Sequence, residues 1–200
     1  MPREIVLATR NRHKREELAA LLHDLDVRIR TMDDFPDVPD VIEDGETCEA
    51  NAIKKAREVA AATGLTAVAD DTGLEVDALG GRPGVYAARY ASEHATYEDN
   101  WRKLVRELAG VPLERRTARF ITVAAVARPD GEVQVRRGIL EGRIADEPSG
   151  SNGFGYDPVF VVPELGKTLA DLSSEEKNGI SHRAEAFLQA KELLRSMQLV

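Results

Sequence analysis

Apolar and polar positions alternate along the chain in segments that predict short strands and amphipathic helices in turn. The apolar run 5–9 is typical of a buried strand, and leucines at helical spacing after it predict a helix over about 14–24. Further strands are predicted over 27–31, 66–69, 74–79, 118–127 and 132–140, and further helices over 47–63, from Trp101 to about Gly110, and over 181–197. Because strands and helices interleave, the pattern favours an α/β fold.

Glycine, proline and acidic residues mark the predicted connections. The acidic segment 33–45 reads as a loop or irregular edge, and 70–73 as a turn between two strands. The segments 80–84 and 146–157 are predicted to be a turn or mobile loop and a loop, respectively. Pro129-Asp130-Gly131 lies between two strand-like runs and predicts a β-hairpin, which implies a mixed sheet.

The length of 200 residues is enough for one ordinary domain, and we expect a single domain over 1–200. Cys48 is the only cysteine, so no internal disulfide points to an oxidising compartment. No apolar run is long enough to span a bilayer, and Met1-Pro2-Arg3-Glu4 leads into a strand without the apolar stretch of a signal peptide. We therefore expect a cytoplasmic protein with no membrane partner.

The overall charge argues against a nucleic-acid partner. Lysine and arginine number 27 against 35 acidic residues, which gives a formal net charge of −8. Non-specific binding to an extended polyanion requires basic surface, so this balance disfavours it. A small phosphorylated ligand needs only a local cluster of cations and stays compatible with the composition.

The segment 9–14 is the first candidate for binding chemistry. Thr9-Arg10-Asn11-Arg12-His13-Lys14 lies between the first predicted strand and the first helix, where backbone N–H groups and the helix dipole favour an anion. Lys14 adds a charge suited to phosphate, although no glycine-rich Walker loop is present. The alternative interpretation is an ordinary helix cap in which Asn11 satisfies backbone amides.

Adjacent carboxylates form the second candidate. Asp70 and Asp71 follow an apolar strand, and such a pair is costly unless it shares a cation or a proton. Carboxylates with water and phosphate oxygens are the usual ligands of Mg²⁺, and one could accept a proton from water. Asn51 and Lys55 share one face of the helix that follows Glu43. The alternative interpretations are purely structural: a turn at Asp70 and Asp71, and a solvated helix face at Asn51 and Lys55.

The third candidate combines aromatic and basic residues near the end of the chain. In the segment 153–158, Phe154 and Tyr156 are separated by Gly155 and followed by Asp157, a combination suited to stacking on and reading a heterocyclic base. A strand entry with Phe154 in the core explains it equally well. Lys177 and the Ser181-His182-Arg183 segment add donors at a helix start, although a serine N-cap explains Ser181 alone. A serine–histidine nucleophile pair is disfavoured because sequence neighbours rarely face each other.

Six motifs occur in a specific order along essentially the whole chain. They are Thr9-x-Asn11-x-x-Lys14, Asn51-Ala52-x-x-Lys55-Ala56, Ala69-Asp70-Asp71-Thr72-Gly73-Leu74, Gly80-Gly81-x-Pro83-Gly84-x-Tyr86-x-Ala88-Arg89-Tyr90, Gly153-Phe154-Gly155-Tyr156-Asp157-Pro158 and Ser181-His182-Arg183. The ordered set closely resembles the inosine triphosphate pyrophosphatase family. It departs at Thr72, where serine is common, and at Arg10, Arg12 and His13, where smaller residues are frequent.

The resemblance implies a Mg²⁺-dependent hydrolase of dITP, ITP and XTP that releases the monophosphate and pyrophosphate. It implies an elongated mixed central β-sheet flanked by helices, two lobes with the active site in the cleft between them, and a homodimer. It also implies Asp71 as general base, Glu43 and Asp71 as metal ligands, and substrate contacts from Thr9, Arg10, Asn11, Arg12, His13, Lys14, Lys55, Thr72, Phe154, Gly155, Tyr156, Asp157, Lys177, His182 and Arg183. Donors such as His182 and Arg183 suit the carbonyl of a 6-oxo purine.

Three alternatives remain open at this point. A related pyrophosphatase could act on modified pyrimidine nucleotides with similar phosphate chemistry. An aspartyl-phosphate phosphatase is disfavoured, because that class has two aspartates separated by one residue. A module that senses nucleotides without turnover is disfavoured because paired carboxylates add uncompensated negative charge to a binding site.

Overall fold

A computed structural model describes residues 3–197; Met1 and Pro2, expected just ahead of the first strand, lie outside the described residues. The helices are α1 (Arg12–Leu21), α2 (Cys48–Thr63), α3 (Tyr97–Glu107), α4 (Ser174–Ile180) and α5 (His182–Ser196). The strands are β1 (Glu4–Leu7), β2 (Arg28–Thr31), β3 (Thr66–Val76), β4 (Pro83–Gly84), β5 (Thr117–Ala127), β6 (Val133–Ile144), β7 (Phe160–Val162) and β8 (Lys167–Thr168).

The strands form one mixed sheet in the order β2-β1-β3-β5-β6-β7-β8, with β4 paired to β3. Strand β1 runs parallel to both β2 and β3, where Leu7 lies opposite Thr31 and Val68. Strands β6, β7 and β8 pair antiparallel, as do β3 and β4. The predicted α/β class with a mixed sheet and flanking helices is confirmed.

The chain divides into two compact units, and the first contains the described residues within 1–71, 122–138 and 182–200. Its core has two layers because neighbouring strand residues point to opposite faces of the sheet. Ile5 and Leu7 pack with apolar residues of α1 and α5, whereas Val6 and Ala8 pack with those of α2. Helices therefore cover both faces of this part of the sheet.

The second unit contains residues 72–121 and 139–181 and has its own apolar core. Leu104 and Leu108 of the α3 segment pack there against Leu74 and the rings of Phe120 and Phe160, whose centroids are 4.6 Å apart. Helix α3 begins at a capping box formed by Thr96 and Asp99.

Several predicted elements are confirmed, and α2 is the clearest case. It begins after Thr47, whose side chain accepts from the Ala50 N–H, and ends at Gly64 in the left-handed conformation, φ 69°. The two strands of the predicted hairpin, β5 and β6, are neighbours in the sheet and are joined by a turn in which Gly131 N–H donates to the Arg128 carbonyl. No helix within residues 3–197 has the length and apolar character needed to cross a membrane.

One local prediction is wrong, and another is incomplete. The segment 70–73 is not a turn between two strands, because β3 continues through it as one strand of 11 residues. The Asp70 carboxylate is neutralised by cations from other elements, as described below, so the chain does not need to turn it towards water. The segment 80–84 is not only a loop, since Pro83 and Gly84 form β4 opposite Glu75 and Leu74. Helix α4 was not predicted.

Candidate active site

Asp71 lies in the middle of β3 with a set of polar partners from helix α2 and the acidic segment before it. Its Oδ2 accepts from Asn51 Nδ2 at 3.0 Å, and Asn51 Oδ1 accepts from the Gly45 N–H at 2.8 Å. Lys55, one turn after Asn51, pairs with Glu43 at 2.9 Å and donates to the Asp70 carbonyl at 2.5 Å. Asn51 and Lys55 point the same way from α2, as their i, i+4 spacing predicted, and together they connect the acidic segment to β3.

Asp70 is fully buried and is the centre of a second ionic group. Its Oδ2 lies 3.0 Å from Lys14 Nζ and 3.3 Å from Arg183 Nε, and Arg183 Nη1 lies 2.6 Å from Glu17 Oε2. The side chains of Asp70 and Arg183 are 0% and 3% exposed. Buried charges require such pairing, and this group joins α1, β3 and α5 within the first unit.

The two adjacent carboxylates have opposite pKa shifts. Burial raises the pKa of Asp71 above its ordinary value, Glu43 acts in the same direction, and Lys55 and Lys14 oppose them. Burial alone would also raise the pKa of Asp70, but Lys14, Arg183 and Lys55 together hold it well below its usual range. Asp70 therefore stays ionised as a structural anion, whereas Asp71 has the environment of a proton acceptor.

Cys48 lies near this carboxylate but is poorly suited to nucleophilic chemistry. Burial, followed by the charge of Asp71, raises the pKa of its thiol to about 12. A thiolate is the reactive form of cysteine, and this environment disfavours it.

The segment 9–14 joins β1 to α1 as predicted. Asn11 is the N-cap of α1, and its side chain accepts from the Lys14 N–H at 3.3 Å, while Thr9 Oγ1 accepts from the Asn11 N–H at 3.2 Å. The structural interpretation of Asn11 as a cap is thus confirmed. Lys14 extends from this turn to Asp70, so the cap and the buried ionic group share one helix start.

Arg10 and Arg12 have their carboxylate partners outside that group. The Arg10 guanidinium lies 2.6 Å from Asp40 and donates to the carbonyls of Met32 and Val38. Arg12 pairs with Glu16 on the exposed side of α1, and His13 is exposed. The two arginines therefore have carboxylate partners, and their predicted contact with phosphate stays a prediction.

In the second unit, Asp157 organises the aromatic segment. Its Oδ2 accepts from Lys177 Nζ at 2.6 Å and from the Phe154 N–H at 2.9 Å, and both charged side chains are nearly buried. The Lys177 ammonium lies 4.9 Å from the centroid of the Phe154 ring, which also meets Tyr97 at 5.7 Å. A half-buried ring with a bound cation is suited to a flat, electron-rich ligand.

Phe154 and Tyr156 were both predicted to contact a base, but they have different surroundings in the structure. Tyr156 is 5% exposed, belongs to the apolar core and donates its hydroxyl to the Ala87 carbonyl at 2.8 Å. Its side chain therefore supports the segment from inside, and the half-buried Phe154 is the aromatic candidate for contact with a base. Gly155, between the two aromatic residues, has φ 65°. Thr72, another predicted substrate contact, follows Asp71 in β3 and is half-buried.

His182 is the first residue of α5 and is 3% exposed. Its Nδ1 lies 2.6 Å from Thr122 Oγ1 of β5, and both residues belong to the first unit. Arg183, the next residue, instead directs its guanidinium to Asp70 and Glu17.

The donors around Asp71 fit a hard divalent cation. The charge of Glu43 raises the pKa of Asp71, and both carboxylates raise the pKa of Lys55 against the effect of burial. Among the described residues no three His, Cys, Asp or Glu side chains are grouped for metal binding. A pair of carboxylates is what Mg²⁺ uses when waters and phosphate oxygens complete its shell, and it is too few for a closed zinc site.

The sequence profile of the Ham1 family matches residues 5–193, nearly the whole described chain. The chain belongs to the Ham1 family. Similar curated members are the dITP/XTP pyrophosphatases of Shouchella clausii, 48% identical over 96% of each chain, and of Geobacter sulfurreducens, 50% identical over 95% of this chain and 96% of that protein.

Solved Ham1 structures have the same fold. A HAM1 protein from Coxiella burnetii superposes with a TM-score of 0.88 at 42% identity, covering 96% of this chain and 98% of its own. The nucleoside-triphosphatase, dITP/XTP pyrophosphatase, from Mycobacterium abscessus gives a TM-score of 0.76 at 42% identity over 95% and 98%. The family resemblance inferred from the motifs is confirmed.

Three polar residues that contact predicted site residues in this Ham1 chain were given no role of their own in the predicted site. Glu17 and Asp70 hold Arg183, and Thr122 contacts His182. Only Asp70 had a signal in the sequence, as half of a carboxylate pair. Glu17 and Thr122 sit in ordinary helical and strand patterns, and their partners are 166 and 60 residues away.

Proposed function

We propose that this protein hydrolyses non-standard purine nucleoside triphosphates (dITP, ITP and XTP) to the monophosphate and pyrophosphate, and so removes them from the nucleotide pool. The observation that carries the proposal is the buried Asp71 carboxylate beside Lys55, Glu43 and Asn51. The substrate class is supported by the relatives named dITP/XTP pyrophosphatases.

We assign Asp71 as the general base that accepts a proton from the attacking water. Asn51 holds one oxygen of this carboxylate, so the other carboxylate edge can be oriented towards the water. The water attacks the α-phosphorus, and the bond to the bridging oxygen of pyrophosphate breaks. Lys14 and Lys55 neutralise phosphate charge, and the α1 start at Asn11 offers backbone N–H donors.

We propose Mg²⁺ as the metal, held by Glu43 and Asp71 with phosphate oxygens and water. When bound, it supplies positive charge that offsets the negative charge on the phosphates. Lys55 already contacts Glu43, so this lysine is positioned to keep the carboxylates together before nucleotide arrives.

For the base, we propose that Phe154 stacks on the purine and that Lys177 and Asp157 shape the recognition of its edge. His182 donates to the 6-oxo oxygen, which adenine lacks. Arg183 has Asp70 and Glu17 as partners, so its first assigned role is to stabilise the ionic group through which Asp70 positions Lys14.

The deciding experiment is product analysis with and without metal. The protein is incubated with dITP, XTP, ITP, dATP and dGTP in the presence of Mg²⁺, and products are separated by ion-exchange chromatography. We expect dITP to give dIMP and pyrophosphate in equal amounts, no turnover with EDTA, and recovery when Mg²⁺ is added in excess. Release of orthophosphate, or equal rates with dATP and dITP, would contradict the proposal.

We further propose a cytoplasmic homodimer with no membrane or nucleic-acid partner. The single cysteine, Cys48, and the net charge of −8 support the location and the lack of polyanion binding. Light scattering after size-exclusion chromatography tests the dimer, with a mass of 22.0 kDa expected for a monomer and twice that mass for the proposed state.

A further inference from the structure

The contact between Thr122 and His182 is short and almost completely shielded from water. Thr122 Oγ1 and His182 Nδ1 are 2.6 Å apart, and the two residues are 0% and 3% exposed. Thr122 belongs to β5, where a β-branched residue is well accommodated and has few rotamers. The hydroxyl is therefore held in place by the strand rather than by a flexible loop.

The backbone around His182 is held equally closely. A Cβ atom on Gly138 of β6 would lie 2.0 Å from the His182 carbonyl oxygen and 2.6 Å from the Ala186 nitrogen. Strand β6 thus touches the first turn of α5 directly, which is possible only because residue 138 has no side chain. The imidazole is fixed through its backbone and through Nδ1 at the same time.

This arrangement bears on which ring nitrogen carries the proton. In a neutral imidazole one nitrogen donates and the other accepts, whereas a hydroxyl can do either. If the Thr122 hydroxyl donates to Nδ1, the proton resides on Nε2 and that edge of the ring is a donor. If Nδ1 donates to the hydroxyl, the opposite edge is an acceptor. Inosine and xanthine carry an oxygen acceptor at position 6, and adenine carries an amino donor there.

We propose that Thr122 is a specificity-determining positioning residue whose hydroxyl donates to His182 Nδ1 and keeps the proton on Nε2. The Nε2–H then matches a 6-oxo purine and is mismatched with adenine, because two donors would face each other. This inference rests on the proposed function, in which His182 contacts the base, and it adds the residue that determines how His182 does so.

The direction of the hydrogen bond can be measured without nucleotide. Two-bond ¹H–¹⁵N correlation spectra of the ¹⁵N-labelled protein at pH 8, well above the usual histidine pKa of about 6.5, distinguish the two neutral tautomers. The His182 signals are assigned by their loss in His182→Gln. We expect the Nε2–H tautomer in the wild-type protein and a mixture in Thr122→Val. A wild-type ring protonated on Nδ1 overturns the proposal.

Kinetics test the consequence for specificity. Thr122→Val keeps the shape and removes the hydroxyl, and Thr122→Ser restores it. We expect the ratio of kcat/KM for dITP to that for dATP to fall roughly tenfold in Thr122→Val, the size expected for one hydrogen bond, and to stay within about twofold in Thr122→Ser. If Thr122 had only a structural role, Thr122→Val would lower kcat/KM for both substrates by the same factor. An unchanged ratio in Thr122→Val therefore overturns the inference.

Two arrangements keep the outcomes separable. If Thr122→Val does not fold, as judged by circular dichroism, Thr122→Ala removes the same hydroxyl and gives the same readouts. If the wild-type protein does not convert dITP to dIMP and pyrophosphate, the proposed function fails, whereas the tautomer spectrum still tests whether Thr122 orients His182.

Discussion

The carboxylate of Asp157 and the ammonium of Lys177 form a buried ion pair at 2.6 Å in the second unit. The same carboxylate oxygen accepts the Phe154 N–H, and the same ammonium lies over the Phe154 ring. One ion pair therefore determines where the half-buried aromatic ring is held. This makes the pair structural as well as a candidate for base recognition, and the two contributions can be separated by experiment.

Removal of the lysine should destabilise the fold strongly. Lys177→Met leaves Asp157 buried without its cation, which typically reduces the free energy of unfolding by about 3–5 kcal/mol. Urea denaturation measures this change. Lys167→Met, on the exposed part of β8 in the same unit, is the matched control and should change stability by less than about 0.5 kcal/mol. Equal effects of the two substitutions would show that the pair is not structural.

The glycines of the aromatic segment should differ sharply in their tolerance of alanine. Gly153 has φ 72°, and a Cβ there would lie 2.0 Å from Asp157 Oδ2, so Gly153→Ala must displace the paired carboxylate. Gly155 has φ 65°, and outside the adjacent residues of the chain no atom lies within 4 Å of the place that an alanine methyl group would occupy. Gly155→Ala therefore meets only the backbone penalty of about 1–2 kcal/mol.

Denaturation and KM for dITP check this difference. We expect Gly153→Ala to reduce the free energy of unfolding by at least about 3 kcal/mol. It should also raise KM for dITP, because the Phe154 ring loses its support. If Gly155→Ala were as destabilising as Gly153→Ala, the contact with Asp157 would not be the cause.

The Asp71→Asn variant should lose most of its turnover but still bind the nucleotide. The amide can still interact with Asn51, so the fold is kept, but it cannot accept a proton from water. We expect kcat to fall at least about 10²-fold and the dissociation constant for dITP to change little when Mg²⁺ is in excess. Isothermal titration calorimetry and product assays measure the two quantities. Asp37→Asn, on an exposed part of the acidic segment, should behave as wild type. A kcat near normal in Asp71→Asn would mean that the base is another residue.

Two tyrosines, the buried Tyr156 and the half-buried Tyr90, should make the protein sensitive to alkali. Burial raises the pKa of Tyr156 and, with Glu107, raises that of Tyr90 to about 12. Above the unfolded pKa of about 10, the unfolded chain has lost protons that the folded chain retains, so stability falls as pH rises. This contribution is fully present below about pH 10.

Tyr156→Phe tests that linkage. At pH 8 the free energy of unfolding of the variant should be about 1 kcal/mol lower, because the hydrogen bond to the Ala87 carbonyl is gone. Above pH 10 its stability should fall less steeply than that of the wild type. Urea unfolding at a series of pH values gives both quantities. Parallel curves for the two proteins would exclude Tyr156 as a source of the alkaline loss.

Local patterns were sufficient where a local interaction decides the structure. Helix α2 was predicted correctly because Thr47 caps it and Gly64 ends it, and both signals act within one turn of chain. The α/β class and the family were likewise determined by the order of elements and of short motifs, which are properties of the sequence itself. The roles of Asp71, Lys55 and Phe154 were inferred from the same short motifs and stay predictions.

Tertiary structure decided what depends on partners remote in the chain. Asp70-Asp71-Thr72-Gly73 has the composition of a turn, yet it lies within a strand because Lys14 and Arg183 neutralise Asp70 from α1 and α5. Arg183 lies 113 residues from that carboxylate, and Thr122 lies 60 residues from His182. No spacing rule links such pairs, because they meet only when the sheet brings separate elements together. The sequence thus determined which residues carry the charges, and only the fold decided which of those charges face one another.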